Sequence, residues 1–268
     1  MDPEKEFVSR DMPGGMRRIH MKVTIITIAY NSGSCIGTTI ESVLGQTDIG
    51  EGNTLEYLII DGASSDDTVA RAESYREKMA EKNIEYHIYS EPDHGIYDAM
   101  NKGIRLAAGD VIGILNSGDW YEPQAAATAI STFEREHCDL MFADIRIYKS
   151  SGASFVKKAR QRRFQTSRDW NHPTTFVRAE LYKKYPFRDL GIHDDYGFYL
   201  RMRRQNRRIV TVPKVLADFQ MGGASNQKSL KAAKKRILDR YRYCYRMNGY
   251  SRWYMVECVL IEAVKMIM

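Results

Sequence analysis

The sequence lacks several features that would assign it to a class at once. None of its apolar runs approaches the roughly 20 residues that a membrane-spanning helix needs. Its four cysteines and six histidines are dispersed along 268 residues, without the paired spacing of a metal site. A membrane-spanning chain and a structural zinc site are therefore disfavoured, and reduced thiols are expected rather than disulfides.

The charges are divided unevenly between the two parts of the chain. Residues 1–150 contain 14 basic and 25 acidic side chains, a net charge of −11. Residues 151–268 contain 26 basic and 9 acidic side chains, a net charge of +17. This asymmetry suggests a cation or polar ligand for the first part and an anionic partner for the second, unless the basic surface is simply solvated.

Apolar strand patterns alternate with helical patterns through the first 150 residues. Such alternation is typical of βαβ units, so we predict an α/β fold with a mostly parallel sheet. Helices are predicted from Ser65 or Asp66 toward Lys82, over residues 96–108, and over 201–208 with acids near its start. The predicted strands are 23–29, 55–60, 84–89, 110–115 and 139–148, followed by an extended segment at 172–177.

Acidic side chains follow three of the predicted strands. Each cluster alone could be turn chemistry, because aspartate is favoured at turns and helix N-termini. Parallel strands, however, bring their carboxyl ends to one edge of the sheet, where α/β proteins bind ligands. We therefore expect one site that contains these groups. The clusters are Asp61 with Asp66, Asp93 with Asp98, and Asp119.

The C-terminal segment combines a long basic helix, predicted from Ser225, with an amphipathic tail. In the tail, Glu257, Glu262 and Lys265 lie within about 140° of one another on a helix, which leaves a wide apolar face. This face could pack on the core or lie on a membrane surface. Basic side chains beside such a helix suit anionic lipid headgroups.

Seven segments in order resemble family 2 glycosyltransferases of the GT-A fold. The segment EPDHGIYDAMNKG, at 91–103, is especially similar to the branch that builds bacterial surface polysaccharides. The other segments are TIAYN (27–31), SVLGQ (42–46), IDGASSD (60–66), LNSGDWY (115–121), HPTTF (172–176) and DDY (194–196).

The resemblance implies an inverting, metal-dependent enzyme that transfers a sugar from a nucleotide donor to a hydroxyl group. Asp195 would be the general base, and Asp119 would hold Mg²⁺ or Mn²⁺ against the donor diphosphate. The implied nucleotide-binding residues are Ala29, Tyr30, Asp61, Asp93 and Asn116. Candidates for donor or acceptor contacts, or for structural roles, are Asp194, His172, Trp120 and Lys102.

Three positions depart from the pattern common in this family. Gly118 leaves Asp119 as the single carboxylate of its turn, and Gly62 follows Asp61 where many relatives have a second acid. Met100 stands where an arginine is common, and Lys102 two residues away points elsewhere on the helix. These differences affect the metal site, the choice of base and the diphosphate contacts.

The resemblance also implies partners and a domain division. We expect a nucleotide sugar, most readily a UDP-sugar, and a lipid-linked or polysaccharide acceptor, at the cytoplasmic face of the plasma membrane. Nucleic acid is not expected. The predicted divisions are a disordered leader at 1–20, a GT-A domain at 21–225 with donor half 21–122 and acceptor half 123–225, and C-terminal helices at 226–268.

Two other classes of function remain open from the sequence. One is a sugar-phosphate nucleotidyltransferase, which the lack of a glycine-rich, basic phosphate loop after the first strand disfavours. The other is a non-catalytic basic protein that binds membrane or nucleic acid, and the acidic first part disfavours the nucleic-acid version.

Overall fold

The computed structural model describes residues 20–149, 151–221 and 229–267. Most of the predicted leader and the predicted start of the basic helix at Ser225 lie outside these residues. Nine strands form one sheet in the order β3-β2-β1-β4-β8-β6-β9-β5, with β7 paired to β6. The strands are β1 Lys22–Ala29, β2 Thr54–Asp61, β3 Glu85–Ser90, β4 Val111–Ile114, β5 Trp120–Tyr121, β6 Leu140–Tyr148, β7 Ser154–Lys157, β8 Phe176–Arg178 and β9 Ile209–Gln220.

The first four strands form the parallel part of the sheet. In β1, every residue after Lys22 is buried, because helices cover both faces of an inner parallel strand. β1 pairs with β2 from Lys22↔Thr54 to Ala29↔Asp61, and with β4 on its other side. The predicted strands in this region are confirmed to within one or two residues at each end.

Beyond β4 the sheet becomes mixed. β8 is antiparallel to β4 and β6, whereas β9 is parallel to β6. β9, which contains Pro213, was not predicted from the sequence. The pairing moves from Ala143↔Val212 to Asp144↔Val215, so a bulge accommodates the proline that would otherwise remove a ladder hydrogen bond.

The helices pack on the two faces of the sheet, and two helix predictions are corrected. The single helix predicted toward Lys82 is two short helices, α2 and α3, separated by a turn at Ser74 and Tyr75. The helix predicted at 201–208 begins at Asp194 and ends at Arg204, because buried residues from Tyr196 to Met202 supply its core-facing side. The helices before β9 are α1 Ile36–Leu44, α2 Thr68–Glu73, α3 Arg76–Glu81, α4 Ile96–Leu106, α5 Ala125–Glu136, α6 Ala179–Lys184 and α7 Asp194–Arg204.

The C-terminal elements pack against α7 and each other. They are α8 Leu230–Asp239, a π-helical turn Arg240–Tyr245, a 3₁₀ turn Arg246–Asn248 and α9 Tyr254–Ile267. Tyr254, Cys258 and Ile261 are buried, so α9 contributes to the core. Among the described residues, no helix is both long and apolar enough to cross a bilayer.

Candidate active site

The loops that leave β1, β2 and β4 contact one another at the carboxyl edge of the sheet. The Asn31 backbone N–H donates to Ser64 Oγ at 2.8 Å, which joins the first two loops. The Ser32 and Ser117 hydroxyls are 2.8 Å apart, which joins the first and third. The loops after β1, β2 and β4 therefore lie together at this edge, as expected from the parallel order of the strands.

Asp61 and Asp93 lie at one side of this edge, close to Tyr30 and to Ala29, the last residue of β1. Asp61 is buried and accepts hydrogen bonds from the Ser64 hydroxyl at 2.5 Å and the Ser90 hydroxyl at 2.7 Å. A Cβ on Gly62 would lie 2.6 Å from Asp93 Oδ2 and 3.3 Å from the Tyr30 ring. Glycine at position 62 thus allows the Asp93 carboxylate and the exposed Tyr30 ring to approach the backbone.

The turn that carries Asn116 and Asp119 is held in place by α1. Thr39 Oγ1 accepts a hydrogen bond from the Gly118 N–H at 2.9 Å and donates one to the Asp119 carbonyl at 2.7 Å. Gly118 has φ of +94°, a conformation that glycine adopts at little cost. The departure at position 118 is therefore a requirement of this turn, and it leaves Asp119 as its single carboxylate.

Two oxygens in this turn are buried and have no hydrogen-bond partner among the described residues. They are Asn116 Oδ1 and Asp119 Oδ2, and the Asp119 residue is 4% exposed. Burial raises the pKa of Asp119 to about 8, although a hydrogen bond from the Gln220 backbone acts in the opposite direction. Buried polar atoms normally have partners, so these oxygens fit the hard, oxygen-preferring cations Mg²⁺ and Mn²⁺.

A second group of candidate metal ligands lies elsewhere in the sheet. Ligand atoms of Glu56, Glu85 and His87 are within 4.8 Å of one another. Glu56 already accepts hydrogen bonds from Thr24 Oγ1 at 2.5 Å and the Ala108 N–H at 2.8 Å. Because its carboxylate bridges elements of the fold, we interpret this group as structural.

The adjacent carboxylates at the start of α7 have different surroundings. Asp194 Oδ2 accepts hydrogen bonds from the backbone N–H groups of Arg188 and, at 2.9 Å, Asp189, which gives this carboxylate a structural role. Burial raises its pKa. Asp195 keeps a partly exposed side chain and accepts a hydrogen bond from the Tyr97 hydroxyl at 3.1 Å. Of the two carboxylates, that of Asp195 is therefore the more accessible to a substrate, whereas that of Asp194 supports the loop at residues 188–189.

His172 lies beside Asp195. Its Nδ1 is 3.6 Å from Asp195 Oδ2, and its buried Nε2 has no hydrogen-bond partner in the part of the chain that the structure describes. Burial lowers the pKa of His172, while the neighbouring carboxylate opposes this effect. A neutral imidazole in this position can orient the carboxylate without neutralising its charge.

Two other predicted contact residues have clear structural partners. The half-buried Trp120 ring lies 5.3 Å from the Tyr148 ring. Lys102 donates to the Pro92 carbonyl at 2.7 Å and pairs with Glu91 at 3.1 Å. Lys102 thus supports the loop before α4. Met100, which stands where an arginine is common in the family, is buried in the core, and Lys102 does not replace that arginine.

The residues that hold the site in place were not predicted from the sequence. Thr39 binds the Asp119 turn, and Tyr97 joins α4 to α7 through Asp195 and through the Asp194 N–H, 3.0 Å from its hydroxyl. Tyr97 belongs to the 91–103 segment, but its spacing is equally that of a core residue. Nothing in the sequence pairs it with Asp195, 98 positions away.

The fold is similar to that of several solved structures. TarS of Staphylococcus aureus, residues 1–349 in complex with UDP, matches with a TM-score of 0.59 and 18% identity, over 91% of this chain and 71% of that one. Mannosyltransferase PcManGT of Pyrobaculum calidifontis, in complex with GDP-Man and Mn²⁺, matches with a TM-score of 0.60 and 15% identity, over 93% and 70%. The fold is that of the GT-A glycosyltransferases, as the resemblance predicted.

Sequence comparison identifies the family. Residues 24–205 match the profile of Glycosyl transferase family 2, and the chain belongs to this family. An uncharacterized glycosyltransferase of Mycobacterium tuberculosis is 38% identical over 109 residues, which cover 40% of this chain and 38% of that protein's length. A PGL/p-HBAD biosynthesis glycosyltransferase of Mycobacterium bovis is 27% identical over 215 residues, covering 76% and 78%.

Proposed function

We propose that this chain transfers a sugar from a nucleoside-diphosphate donor to an acceptor hydroxyl, with inversion at the anomeric carbon. The observation that carries the proposal is the pair of buried, unpartnered oxygens of Asn116 and Asp119 at the carboxyl edge of the sheet. Family membership supports the activity and disfavours the nucleotidyltransferase and nucleic-acid-binding alternatives.

The donor would bind across the loops that leave β1, β2 and β4. Tyr30 and Ala29 would contact the base, with Asp61 and Asp93 as hydrogen-bond acceptors beside it. Asn116 and Asp119 would hold Mg²⁺ or Mn²⁺ near the diphosphate. A bound cation supplies positive charge that stabilises the departing nucleoside diphosphate.

Asp195 would act as the general base. Its carboxylate would take the proton from the acceptor hydroxyl as that oxygen attacks the anomeric carbon from the side opposite the leaving group. Tyr97 and His172 would orient the carboxylate through the contacts at 3.1 and 3.6 Å. A positioned base of this kind contributes about 10²–10⁴ in rate.

The names of the relatives support the donor and acceptor classes in this proposal. One solved neighbour holds UDP and another holds GDP-Man with Mn²⁺, so both uracil and guanine donors belong in the test, with a UDP-sugar as first choice. A relative named for PGL/p-HBAD biosynthesis supports a lipid-linked or polysaccharide acceptor. The cytoplasmic face of the plasma membrane, which the sequence resemblance implies, is the proposed location.

A thermal-shift screen tests this proposal. UDP, GDP or dTDP with Mn²⁺ should raise the melting temperature, and Asp119→Ala should remove the part of the shift that requires Mn²⁺. Asp48→Ala, an exposed acid outside the site, is the matched control and should keep the whole shift. If none of the three nucleotides changes the melting temperature of the unaltered chain, the proposal is wrong.

A further inference from the structure

The outward side of α9 is apolar, because its two acidic side chains are buried. Glu257 and Glu262 are buried against the protein, where Glu257 Oε2 accepts a hydrogen bond from the Tyr245 hydroxyl at 3.0 Å. Trp253, just before the helix, is 76% exposed, and Leu260 is 60% exposed. Val256, Val259, Ala263 and Val264 are exposed as well.

This exposed side borders a groove formed with the loop between β7 and β8. The groove has a volume of about 480 Å³, and Phe164 and Arg168 of the loop face Trp253, Val256 and Leu260 across it. Phe164 is half exposed and stacks on Tyr254 with ring centroids 4.3 Å apart. We call this set, Phe164 with Trp253, Val256, Leu260 and Val264, the α9 surface.

The charges around the α9 surface are basic. Three arginines near it are exposed. Arg163 is adjacent in sequence to Phe164, Arg252 is adjacent to Trp253, and Arg168 lines the groove itself. Their neighbour Arg162 pairs with Asp169 at 3.3 Å, but no salt bridge between described residues includes these three arginines. The nearby acids Glu257 and Asp169 are buried.

We propose that the α9 surface docks on an anionic lipid bilayer, with its apolar side chains in the headgroup region and the three arginines against lipid phosphates. A contiguous exposed apolar surface marks an interaction site. The combination of an apolar face, an interfacial tryptophan and a basic rim is complementary to anionic lipid. A second copy of the chain would instead bring two basic rims together.

Vesicle binding tests the proposal without any sugar donor, so its outcome is independent of the proposed transfer reaction. The chain should sediment with vesicles of phosphatidylserine and phosphatidylcholine at low salt, and less with phosphatidylcholine alone. Trp253 fluorescence should shift to shorter wavelength on binding, and Trp253→Phe should remove this shift. Failure of the unaltered chain to bind the anionic vesicles at low salt would overturn the proposal.

Substitutions on the α9 surface separate docking from folding. The double variant Val256→Asn, Leu260→Asn should lose at least tenfold in vesicle affinity with an unchanged melting temperature, because both side chains are exposed. Leu106→Asn, an exposed helical residue outside the α9 surface, is the matched control and should bind normally. Equal binding by the double variant and the control contradicts the proposal.

The basic rim is tested separately. Arg163→Gln, Arg168→Gln and Arg252→Gln should each reduce affinity for anionic vesicles by about fivefold at low salt, and the loss should shrink as salt is added. Unchanged affinity in all three variants rejects the charge complementarity. Light scattering of the free chain tests the competing interpretation, self-association. If the unaltered chain is a dimer and the double variant Val256→Asn, Leu260→Asn is a monomer, the α9 surface is a dimer interface and lipid docking is rejected.

Discussion

Asp119 and Asp195 are both carboxylates at the candidate site, but their surroundings suit different tasks. Asp119 is buried with one oxygen unpartnered, which favours a cation beside it. Asp195 is partly exposed, accepts a hydrogen bond from Tyr97 and lies beside His172, which suits a group that exchanges a proton with a substrate. Two carboxylates with different environments can thus divide metal binding from base catalysis.

Asp195→Asn should separate binding from chemistry. Asparagine is close in shape but cannot accept the proton, so we expect kcat to fall by about 10²–10⁴ while the donor-induced thermal shift remains. Asp189→Asn, at an exposed position in the neighbouring loop, should leave kcat unchanged. Steady-state kinetics and thermal shift on the same preparations measure both quantities. Full transfer activity in Asp195→Asn would place the base elsewhere.

Cation binding at Asp119 should depend on pH. Because the pKa of this carboxyl group is about 8 without a cation, a proton competes with the cation at lower pH. The apparent affinity for Mn²⁺ in the presence of UDP should therefore rise by up to tenfold per pH unit between 6.5 and 8, and level off above.

Calorimetry in buffers of different ionisation enthalpy measures both the affinity and the released proton. Asp119→Asn should remove the proton release, whereas Asp48→Asn should keep it. An affinity for Mn²⁺ that is constant across this pH range would show that Asp119 is not the ligand that titrates.

At the scale of elements, the C-terminal helices hold the start of α7. Arg240, in the π-helical turn after α8, lies 3.0 Å from His193 Nε2 and 3.4 Å from Glu262 of α9. The Cys244 thiol donates to the His193 carbonyl at 3.1 Å. Because His193 precedes Asp194 and Asp195, these contacts connect α9 to the helix that carries the candidate base.

Glu262→Gln should destabilise the protein strongly. Glu262 is 1% exposed and binds both Arg236, at 2.8 Å, and Arg240, so its neutralisation removes a buried negative charge that both guanidinium groups contact. Removing one partner of a buried ion pair costs about 3–5 kcal/mol of unfolding free energy. Urea denaturation measures the loss.

The exposed Glu134 provides the control for this substitution. Glu134→Gln on α5 should change the unfolding free energy by less than about 0.5 kcal/mol, because exposed substitutions away from such networks have small effects. Similar losses in the two variants would contradict a special role for the Glu262 network.

At the scale of the whole molecule, α9 belongs to the folded body rather than to a separable tail. Tyr254 stacks on Tyr245 at 4.3 Å, and Cys258 is fully buried. The predicted division at residue 225 stays a prediction, but α9 packs on α8 and on the π-helical turn, and that turn packs on α7. A chain ending at Arg252 should therefore unfold at lower urea concentration or fail to remain in solution.

A truncated chain with the same urea midpoint as the full one would show that α9 is dispensable for folding. The point substitutions on the α9 surface are therefore the sharper probe of lipid docking, since they leave its buried side intact. The charge asymmetry of the chain is consistent with this arrangement. The acidic half carries the candidate cation site, and the basic half carries the rim of the α9 surface.

Much of the donor half could be predicted from the sequence. β-branched apolar runs such as that of β1 specify buried parallel strands, and parallel order alone brings Asp61, Asp93 and Asp119 to one edge. The ordered motifs predicted the family and the GT-A fold, and both are confirmed. These features depend on the local residue pattern and on the alternation of strands with helices, and both can be read from the sequence.

Only the tertiary structure decided how the site is supported and which way α9 faces. Periodicity showed that Glu257 and Glu262 share one side of the helix, but burial depends on distant partners, here Tyr245, Arg236 and Arg240. The same holds for Tyr97 beside Asp195 and for Thr39 beneath the Asp119 turn. A buried carboxylate is stable when hydrogen-bond donors or cationic side chains contact it. Long-range packing, rather than local sequence, determines which residues supply these contacts.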